Sequence, residues 1–175
     1  MVGKSGAGKS TIAKLMVGLY HPLEGNIRIC LGKDTISNAR DYIGYVSQNM
    51  KLFYNKTVMY NITLGDRTIS DQEVHLICER LNLHDKILKL PQKYEELVTE
   101  KVNFSGGEVQ RIILARICLQ KRPIIILDEI TSALDDANVG IVKGIIDELS
   151  ESSLVVLLTH NLGLLNKAKQ IINIT

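Results

Sequence analysis

Near its N-terminus, this 175-residue chain reads Gly3-Lys4-Ser5-Gly6-Ala7-Gly8-Lys9-Ser10-Thr11. This stretch matches the pattern G-x-x-x-x-G-K-[ST], in which backbone N–H groups and one lysine surround a polyphosphate. The glycines permit positive φ angles and a close approach of the backbone to phosphate oxygens. A helix is predicted to follow, because apolar residues recur with helical spacing at Ile12, Leu15, Met16 and Leu19. The N-terminus of that helix would direct its free N–H groups at the same anion.

Two side chains of this loop have expected roles in holding a nucleoside triphosphate. Lys9 would reach the β- and γ-phosphates, and the Ser10 hydroxyl is the expected ligand of Mg²⁺. Only Met1 and Val2 precede the loop, at the point where a strand would normally end. We therefore expect the sequence to be part of a longer protein.

Composition argues for a single domain with a reducing environment and without a nucleic-acid partner. The chain has 21 Lys and Arg against 19 Asp and Glu, a balance too even to indicate binding to nucleic acid or to an anionic membrane. No apolar run approaches the ~20 residues of a membrane span. Cys30, Cys78 and Cys118 are far apart and form no C-x-x-C pair, so they are predicted to be core thiols rather than disulfides or zinc ligands.

Alternating helical and strand patterns predict an α/β fold. Strands are predicted at residues 26–31, 42–47, 124–127, 154–158 and 170–174. Residues 49–120 carry mainly helical patterns, with Ser-x-x-Glu capping boxes that begin at Ser70 and Ser105. Apolar strands that alternate with helices favour a mostly parallel sheet with helices on both faces.

Three polar residues follow the predicted buried strands. Asp128 and Glu129 come after the run Ile124–Leu127, and His160 comes two residues after the next strand. In open parallel sheets, ligands bind beyond the carboxyl ends of the strands, where the phosphate loop also belongs. Asp128 would hold a water on Mg²⁺, Glu129 would orient or deprotonate the attacking water, and His160 would hydrogen-bond the γ-phosphate. A solvated acidic turn is the alternative for Asp128 and Glu129, and the phosphate loop upstream argues against it.

The segment Ser105-Gly106-Gly107, followed by Gln110 and Arg111, resembles the signature motif of ATP-binding cassette (ABC) ATPases. The family's other motifs then occur in the expected order: Walker A at 3–11, the Q-loop at Gln48, the signature at 104–108, Walker B at 124–128, the catalytic glutamate at Glu129, the D-loop at 132–135 and the switch histidine at His160. The resemblance implies a P-loop NTPase fold with an inserted helical subdomain that carries the signature. It places the core at residues 1–52 and 119–175 and the helical subdomain at about 53–118.

The resemblance also implies which residues serve the nucleotide. ATP would be bound by Gly3, Ser5, Gly6, Ala7, Gly8, Lys9, Ser10, Thr11, Gln48 and Asp128. Mg²⁺ would be held by Ser10, Gln48 and Asp128, and catalysis would fall to Glu129 and His160. Ser105, Gly106 and Gly107 would bind the ATP of a second ABC domain placed head to tail with the first, with Asp135 at that interface.

The segment 57–65 is similar to the corresponding region of exporter-type ABC domains, through Thr57, Val58, Asn61 and Ile62. ATP hydrolysis would then power export across a membrane. A transmembrane domain, fused or separate, would dock around residues 48–60 and would hold the chain at the cytoplasmic face of the membrane. Substrate choice would lie in that membrane domain.

The chain departs from the family pattern at the signature and at its ends. Glu108 stands where the family usually has glutamine, and Phe104 where it usually has leucine. Because Ser105 and Glu108 form a capping-box pair, the carboxylate is expected to bond back to the helix start. Alternatively, the Glu108 carboxylate would face the γ-phosphate of the ATP bound by the second ABC domain and would slow closure of the dimer. The strands before Walker A, their adenine-stacking aromatic, and the last hairpin and helix are expected to be missing, which predicts weaker ATP binding.

Three other functions fit parts of the pattern. A soluble ABC ATPase acting on ribosomes often has a Ser-Gly-Gly-Glu signature, but residues 132–135 follow the transporter form of the D-loop. A chromosome or repair ATPase would place a long coiled coil between Lys9 and Ser105, and no heptad run occurs there. A catalytically weak, truncated remnant stays open, although the motif residues are retained.

Overall fold

The computed structural model describes residues 1–4, 6–36, 38–47, 49–102, 104–132 and 134–174. Its strands are β1 (Cys30–Leu31), β2 (Asp34–Thr35), β3 (Ile43–Val46), β4 (Ile124–Asp128) and β5 (Leu154–Leu158). Its α-helices are α1 (Lys9–Met16), α2 (Val58–Thr63), α3 (Asp71–Arg80), α4 (His84–Leu88), α5 (Gly106–Gln120) and α6 (Asp136–Ser152). Short 3-10 helices lie at Ala39–Asp41, Lys93–Glu95 and Leu162–Leu165.

The centre of the fold is a parallel sheet with the strand order β3-β4-β5. In its register, Ile126 of β4 pairs with Tyr45 of β3 and with Val156 of β5. Every residue of β4 is buried, as expected for a continuous apolar strand that is covered on both faces.

Alternate residues of β4 pack on opposite sides of the sheet. Ile125 and Leu127 join the larger apolar cluster, which includes residues of α5 and α6. Ile124 and Ile126 join a second cluster with Ala13 and the adjoining Val17 at the end of α1. The predicted α/β fold, with helices on both faces of a parallel sheet, is therefore confirmed.

The first two residues lie beside β5. The Met1 amino group donates to the Leu157 carbonyl at 2.6 Å, and Val2 N–H donates to the Ile172 carbonyl at 2.9 Å. The predicted strand at 170–174 is reduced to one parallel bridge between Val2 and Asn173. The predicted strand at 26–31 is also shorter than expected, because only β1 is paired, antiparallel to β2.

The apolar stripe predicted for the first helix is only partly confirmed. Met16 packs against the cluster that contains Ala13 and Val17, but the stripe does not extend to Leu19. The buried positions are Ala13 and Val17, whereas Leu19 is 53% exposed. Helix α1 ends at Met16, and Gly18 turns the chain with a φ of 71°. A helix this short has no further turn on which Leu19 could continue the stripe.

Helices α2 to α5 form the predominantly helical part of the chain. Ser70 caps α3 and Ser105 caps α5, each in the predicted capping box. Helix α5 extends to Gln120 and packs against α2 and α3 as well as against β3. The division between a core and a helical subdomain near residue 118 stays a prediction, and that boundary falls within α5.

Candidate active site

The loop between Val2 and α1 is shaped by three glycines. Gly6 and Gly8 have φ angles of 84° and 91°, in the left-handed region that favours glycine, and Gly8 is the N-cap of α1. At Gly3, a Cβ atom would lie only 2.4 Å from the carbonyl oxygen of Ile174. Any side chain at Gly3 would therefore displace either the loop or the segment at Ile174.

Lys9, the first residue of α1, turns back into this loop. Its ammonium donates to the carbonyl of Gly3 at 2.8 Å and to that of Lys4 at 3.0 Å. It also lies 3.9 Å from Glu129 Oε1, and the residue is 7% exposed. The loop thus concentrates a positive charge beside the N-terminus of a helix, an arrangement that favours anions.

Glu129 and His160 meet at the carboxyl ends of β4 and β5. Glu129 has a positive φ of 54°, and its N–H donates to the Leu158 carbonyl at 3.0 Å, which ties the turn after β4 to the end of β5. His160 Nδ1 lies 2.7 Å from Glu129 Oε2. The glutamate side chain is therefore held between the imidazole and the ammonium of Lys9, in a strained backbone conformation that is frequent at functional sites.

Asp128, the last residue of β4, is 2% exposed. Its Oδ2 accepts a hydrogen bond from the Tyr45 hydroxyl at 3.4 Å. Its Oδ1 is buried, with no donor among the residues that the structure describes. Burial first, and then the charge of Asp128, raises the pKa of Tyr45 to about 12. Tyr45 was not predicted as a site residue. Only the register of β3, which pairs Tyr45 with Ile126, two residues before Asp128, could have indicated this contact.

An open cleft of about 490 Å³ joins these elements. It is lined by Gly3, Lys4, Gly6, Gly8, Lys9, Ser10, Thr11, Glu129 and His160. Ala7 belongs to the same loop and Asp128 adjoins Glu129 in the chain, but neither residue contributes to the lining of the cleft. Ser5 and Gln48, both predicted at the nucleotide, lie outside the described residues, as does Ala133 of the predicted D-loop.

The predicted signature residues lie at the start of α5 and do not line this cleft. Ser105 and Gly106 are exposed, whereas Gly107 is buried. Ser105 Oγ accepts from Glu108 N–H at 3.3 Å, and Ser105 N–H donates to Glu108 Oε2 at 2.7 Å. The same Oε2 accepts from Lys86 Nζ at 2.6 Å, a contact that no sequence pattern predicted.

The predicted D-loop segment contacts both α5, which carries the predicted signature residues, and α6. The Ser132 hydroxyl accepts from Gln110 Nε2 at 3.3 Å, and Asp135 caps α6 by accepting from Asn138 N–H at 2.9 Å. Hydrogen bonds from the backbone and then the side chain of Asn138 lower the pKa of Asp135.

Comparison with known proteins agrees with the resemblance to ABC ATPases. The sequence pattern that defines the ABC transporter family matches residues 1–132. The mitochondrial iron-sulfur clusters transporter ABCB7 of Danio rerio is 36% identical over 98% of this chain and 24% of its own length. A putative multidrug export ATP-binding/permease protein of Staphylococcus aureus is 41% identical over 98% of the chain and 30% of its own length.

The structural comparison gives a consistent result. A bacterial Atm1-family ABC exporter solved with ATP bound superposes with a TM-score of 0.87 and 34% identity, over 99% of this chain and 31% of the exporter chain. This chain therefore spans less than a third of the length of these relatives. Within the described ranges, no helix has both the length and the apolar character needed to cross a membrane. The glycine cradle around Lys9, the match along most of the chain and the superposition together show that this protein belongs to the ABC transporter family, as a nucleotide-binding domain.

Proposed function

We propose that this domain binds ATP with Mg²⁺ in the Lys9 cleft, hydrolyses it together with a second ABC domain, and thereby powers export through a transmembrane domain. The observation that carries this proposal is the convergence of Lys9, Glu129 and His160 on one glycine-shaped cleft. A positive charge for the phosphates and a carboxylate for the attacking water are two of the parts that phosphoryl transfer to water requires.

Binding would rest on the cradle itself. The backbone N–H groups around Gly6 and Gly8 and the N-terminus of α1 would surround the β- and γ-phosphates. Lys9 would exchange its bonds to the two loop carbonyls for charge-assisted bonds to phosphate oxygens, which are stronger.

The residues present fit a magnesium ion. Buried Asp128 Oδ1 needs a donor or a cation, and none is found among the described residues. Ser10 lines the cleft around Lys9, and oxygen ligands such as its hydroxyl suit Mg²⁺. Ser10 and Asp128, with Gln48, would hold the ion directly or through water, and the bound ion would neutralise charge on the β- and γ-phosphates.

Glu129 and His160 are the proposed catalytic pair. Glu129 lines the cleft, so its carboxylate would orient the attacking water and accept its proton. The 2.7 Å contact with His160 Nδ1 would fix the direction of the carboxylate. The opposite ring nitrogen of His160 would then be available to the γ-phosphate.

One cleft leaves the outer side of a γ-phosphate uncovered, and a second domain would cover it. The exposed residues Ser105 and Gly106, at the start of a 15-residue helix, would serve the ATP bound by that second domain. ATP would in this way join two domains, and hydrolysis would release them.

The exporter assignment is supported by the relatives, whose names describe transporters and exporters. Phe53 and Tyr54 are 49% and 60% exposed, and adjacent exposed aromatic residues suit a docking surface for the membrane domain. A soluble ribosome-acting ATPase gains no support from these relatives.

A domain exchange tests the proposal. This chain would replace the matching segment of the Staphylococcus aureus relative, and ATP-driven uptake of a dye into inverted vesicles would be measured. We expect uptake that requires Glu129, so that Glu129→Gln in the grafted segment abolishes it. A graft that inserts and folds but hydrolyses no ATP would contradict the ATPase proposal, whereas hydrolysis without uptake would contradict the exporter role alone.

A further inference from the structure

The carboxylate of Glu108 is held from two sides at the start of α5. Its Oε2 accepts from Ser105 N–H at 2.7 Å and from the ammonium of Lys86, on α4, at 2.6 Å. Lys86 also lies over the ring of Phe104, with 5.5 Å between its nitrogen and the ring centroid. The side chains of Glu108 and Lys86 are 16% and 39% exposed, so this ion pair lies at the surface beside the first turn of the helix.

An acidic side chain in this turn opposes the function proposed above. The exposed start of α5 at Ser105 and Gly106 would receive the γ-phosphate held by a second domain. A carboxylate without a counter-ion there would repel the triphosphate, and such repulsion is strong in an interface from which water is largely excluded. A charge in this position therefore requires neutralisation if the two domains are to close on ATP.

We propose that Lys86 is a positioning residue that neutralises Glu108, and so allows an acidic signature helix to accept the triphosphate of a second ABC domain. This inference rests on the proposed function. It differs from direct binding of the nucleotide by Lys86, because here the lysine acts only through Glu108.

The electrostatic environment supports a charged pair. Burial acts to raise the pKa of Glu108, but the hydrogen bonds from Lys86 and from Ser105 N–H outweigh it and lower this pKa. The carboxylate is consequently ionised at neutral pH. Lys86 is the cation that bonds to it directly, and the charge of Arg111, which is more distant on α5, also acts on it.

The chain provides a matched control at the start of α3. There Ser70 and Glu73 form a second capping box, and Lys121 Nζ lies 3.1 Å from Glu73 Oε1. This pair has the same construction as Lys86 and Glu108 but lies at the start of a different helix. Lys121→Met thus reports the loss of a capping-box ion pair without a change at the signature.

The experiment measures self-association by sedimentation in Mg²⁺ and a non-hydrolysable ATP analogue. The variants are Lys86→Met, Glu108→Gln, the double variant, and Lys121→Met, with Lys86→Gln as a second substitution should Lys86→Met fold poorly. We expect Lys86→Met to weaken association on the order of tenfold. Glu108→Gln, which keeps a capping box, should change association less than about twofold, and the double variant should return to within about twofold of the wild type.

Each alternative outcome has a definite meaning. Neutralisation of Glu108 is refuted, while the proposed function stands, in either of two cases. In the first, the Lys86 variants associate as well as the wild type. In the second, the double variant associates as weakly as the Lys86 variants. If Lys121→Met weakens association equally, the effect is a general loss of stability and the inference also fails. If the wild type binds the analogue by calorimetry but never associates, the closure of two copies of this domain on ATP is refuted.

Discussion

The ammonium of Lys9 and the carboxylate of Glu129 lie 3.9 Å apart across the cleft, one at the start of α1 and the other just after β4. The loop carbonyls of Gly3 and Lys4 accept hydrogen bonds from the same ammonium. Lys9 is thereby placed where an incoming triphosphate would compete with these three acceptors. Its binding to a phosphate would also release Glu129 from Lys9 and leave the contact with His160 Nδ1.

Replacing Lys9 should remove most of the affinity for ATP. Lys9→Met eliminates a charge-assisted bond to phosphate worth roughly 1.5–3 kcal/mol, so Kd should rise about 10- to 100-fold. Isothermal titration calorimetry with Mg-ATP measures this change. Lys14→Met is the control, because Lys14 lies on the same helix and contacts the ring of Tyr20 instead. Equal affinities for the two variants would exclude Lys9 from the site.

Replacing Glu129 should separate hydrolysis from binding. Glu129→Gln keeps the shape of the side chain but cannot accept the proton of the attacking water, so kcat should fall about 10²- to 10⁴-fold. Mg-ATP affinity should change little. Phosphate release is compared with that of Glu151→Gln, an exposed glutamate of α6. Wild-type rates for Glu129→Gln would show that another group activates the water.

The parallel sheet and the capping boxes could be predicted because their signals are local. The apolar run at β4 and the Ser-x-x-Glu spacing at Ser70 and Ser105 depend on only a few neighbouring residues. The order of motifs along the chain likewise indicated most of the residues that line the cleft, although Lys4 was not among them and Ala7 and Asp128 do not contribute to the lining. The buried face of α1 could not be read in this way, because it depends on where the helix ends against the sheet.

Contacts between distant segments could not be predicted from the sequence alone. Lys86 meets Glu108 only because α4 packs beside the start of α5, and Tyr45 meets Asp128 only through the register of β3 and β4. A lysine in a short helix and a tyrosine in a strand are ordinary at those positions. Their partners become visible only when the packing of the elements is known.

Asn61 should be a major contributor to stability. This fully buried residue of α2 accepts from Phe53 N–H at 2.6 Å and donates to the carbonyls of Phe53 at 3.1 Å and Thr57 at 3.0 Å. Asn61→Ala would leave buried backbone groups unpaired, which should lower the free energy of unfolding by about 2–4 kcal/mol. Urea denaturation measures the change, and Asn26→Ala, at an exposed position, should stay within about 0.5 kcal/mol of the wild type. Similar stabilities for both variants would contradict this role.

The three thiols should differ in reactivity. Burial raises the pKa of Cys78 to about 11 and that of Cys118 to about 12, so almost no thiolate is present at pH 8. Cys30 is exposed. Iodoacetamide labelling of the native protein, followed by mass spectrometry, should therefore modify Cys30 first, and Cys30→Ser should remove the fast phase. Rapid labelling of all three thiols would contradict the packing of α3 and α5.

The pH dependence of the free energy of unfolding should show whether Glu108 is charged in the folded protein. Because its folded-state pKa is lowered, the ionised carboxylate stabilises the fold above the ordinary glutamate pKa of about 4.5, and this stabilisation is lost as pH falls through the folded-state value. The wild type should thus be more stable than Glu108→Gln at pH 7, and the difference should shrink below about pH 4.5. Glu73→Gln provides the comparison. Hydrogen bonds from Ser70 N–H and then Lys121 lower the pKa of Glu73 to about 2, so the stability advantage of the wild type over Glu73→Gln should decline between about pH 4.5 and 2. Urea denaturation at a series of pH values measures both differences, and a wild-type advantage over Glu108→Gln that grows on acidification would mean that the carboxylate is not ionised in the folded protein.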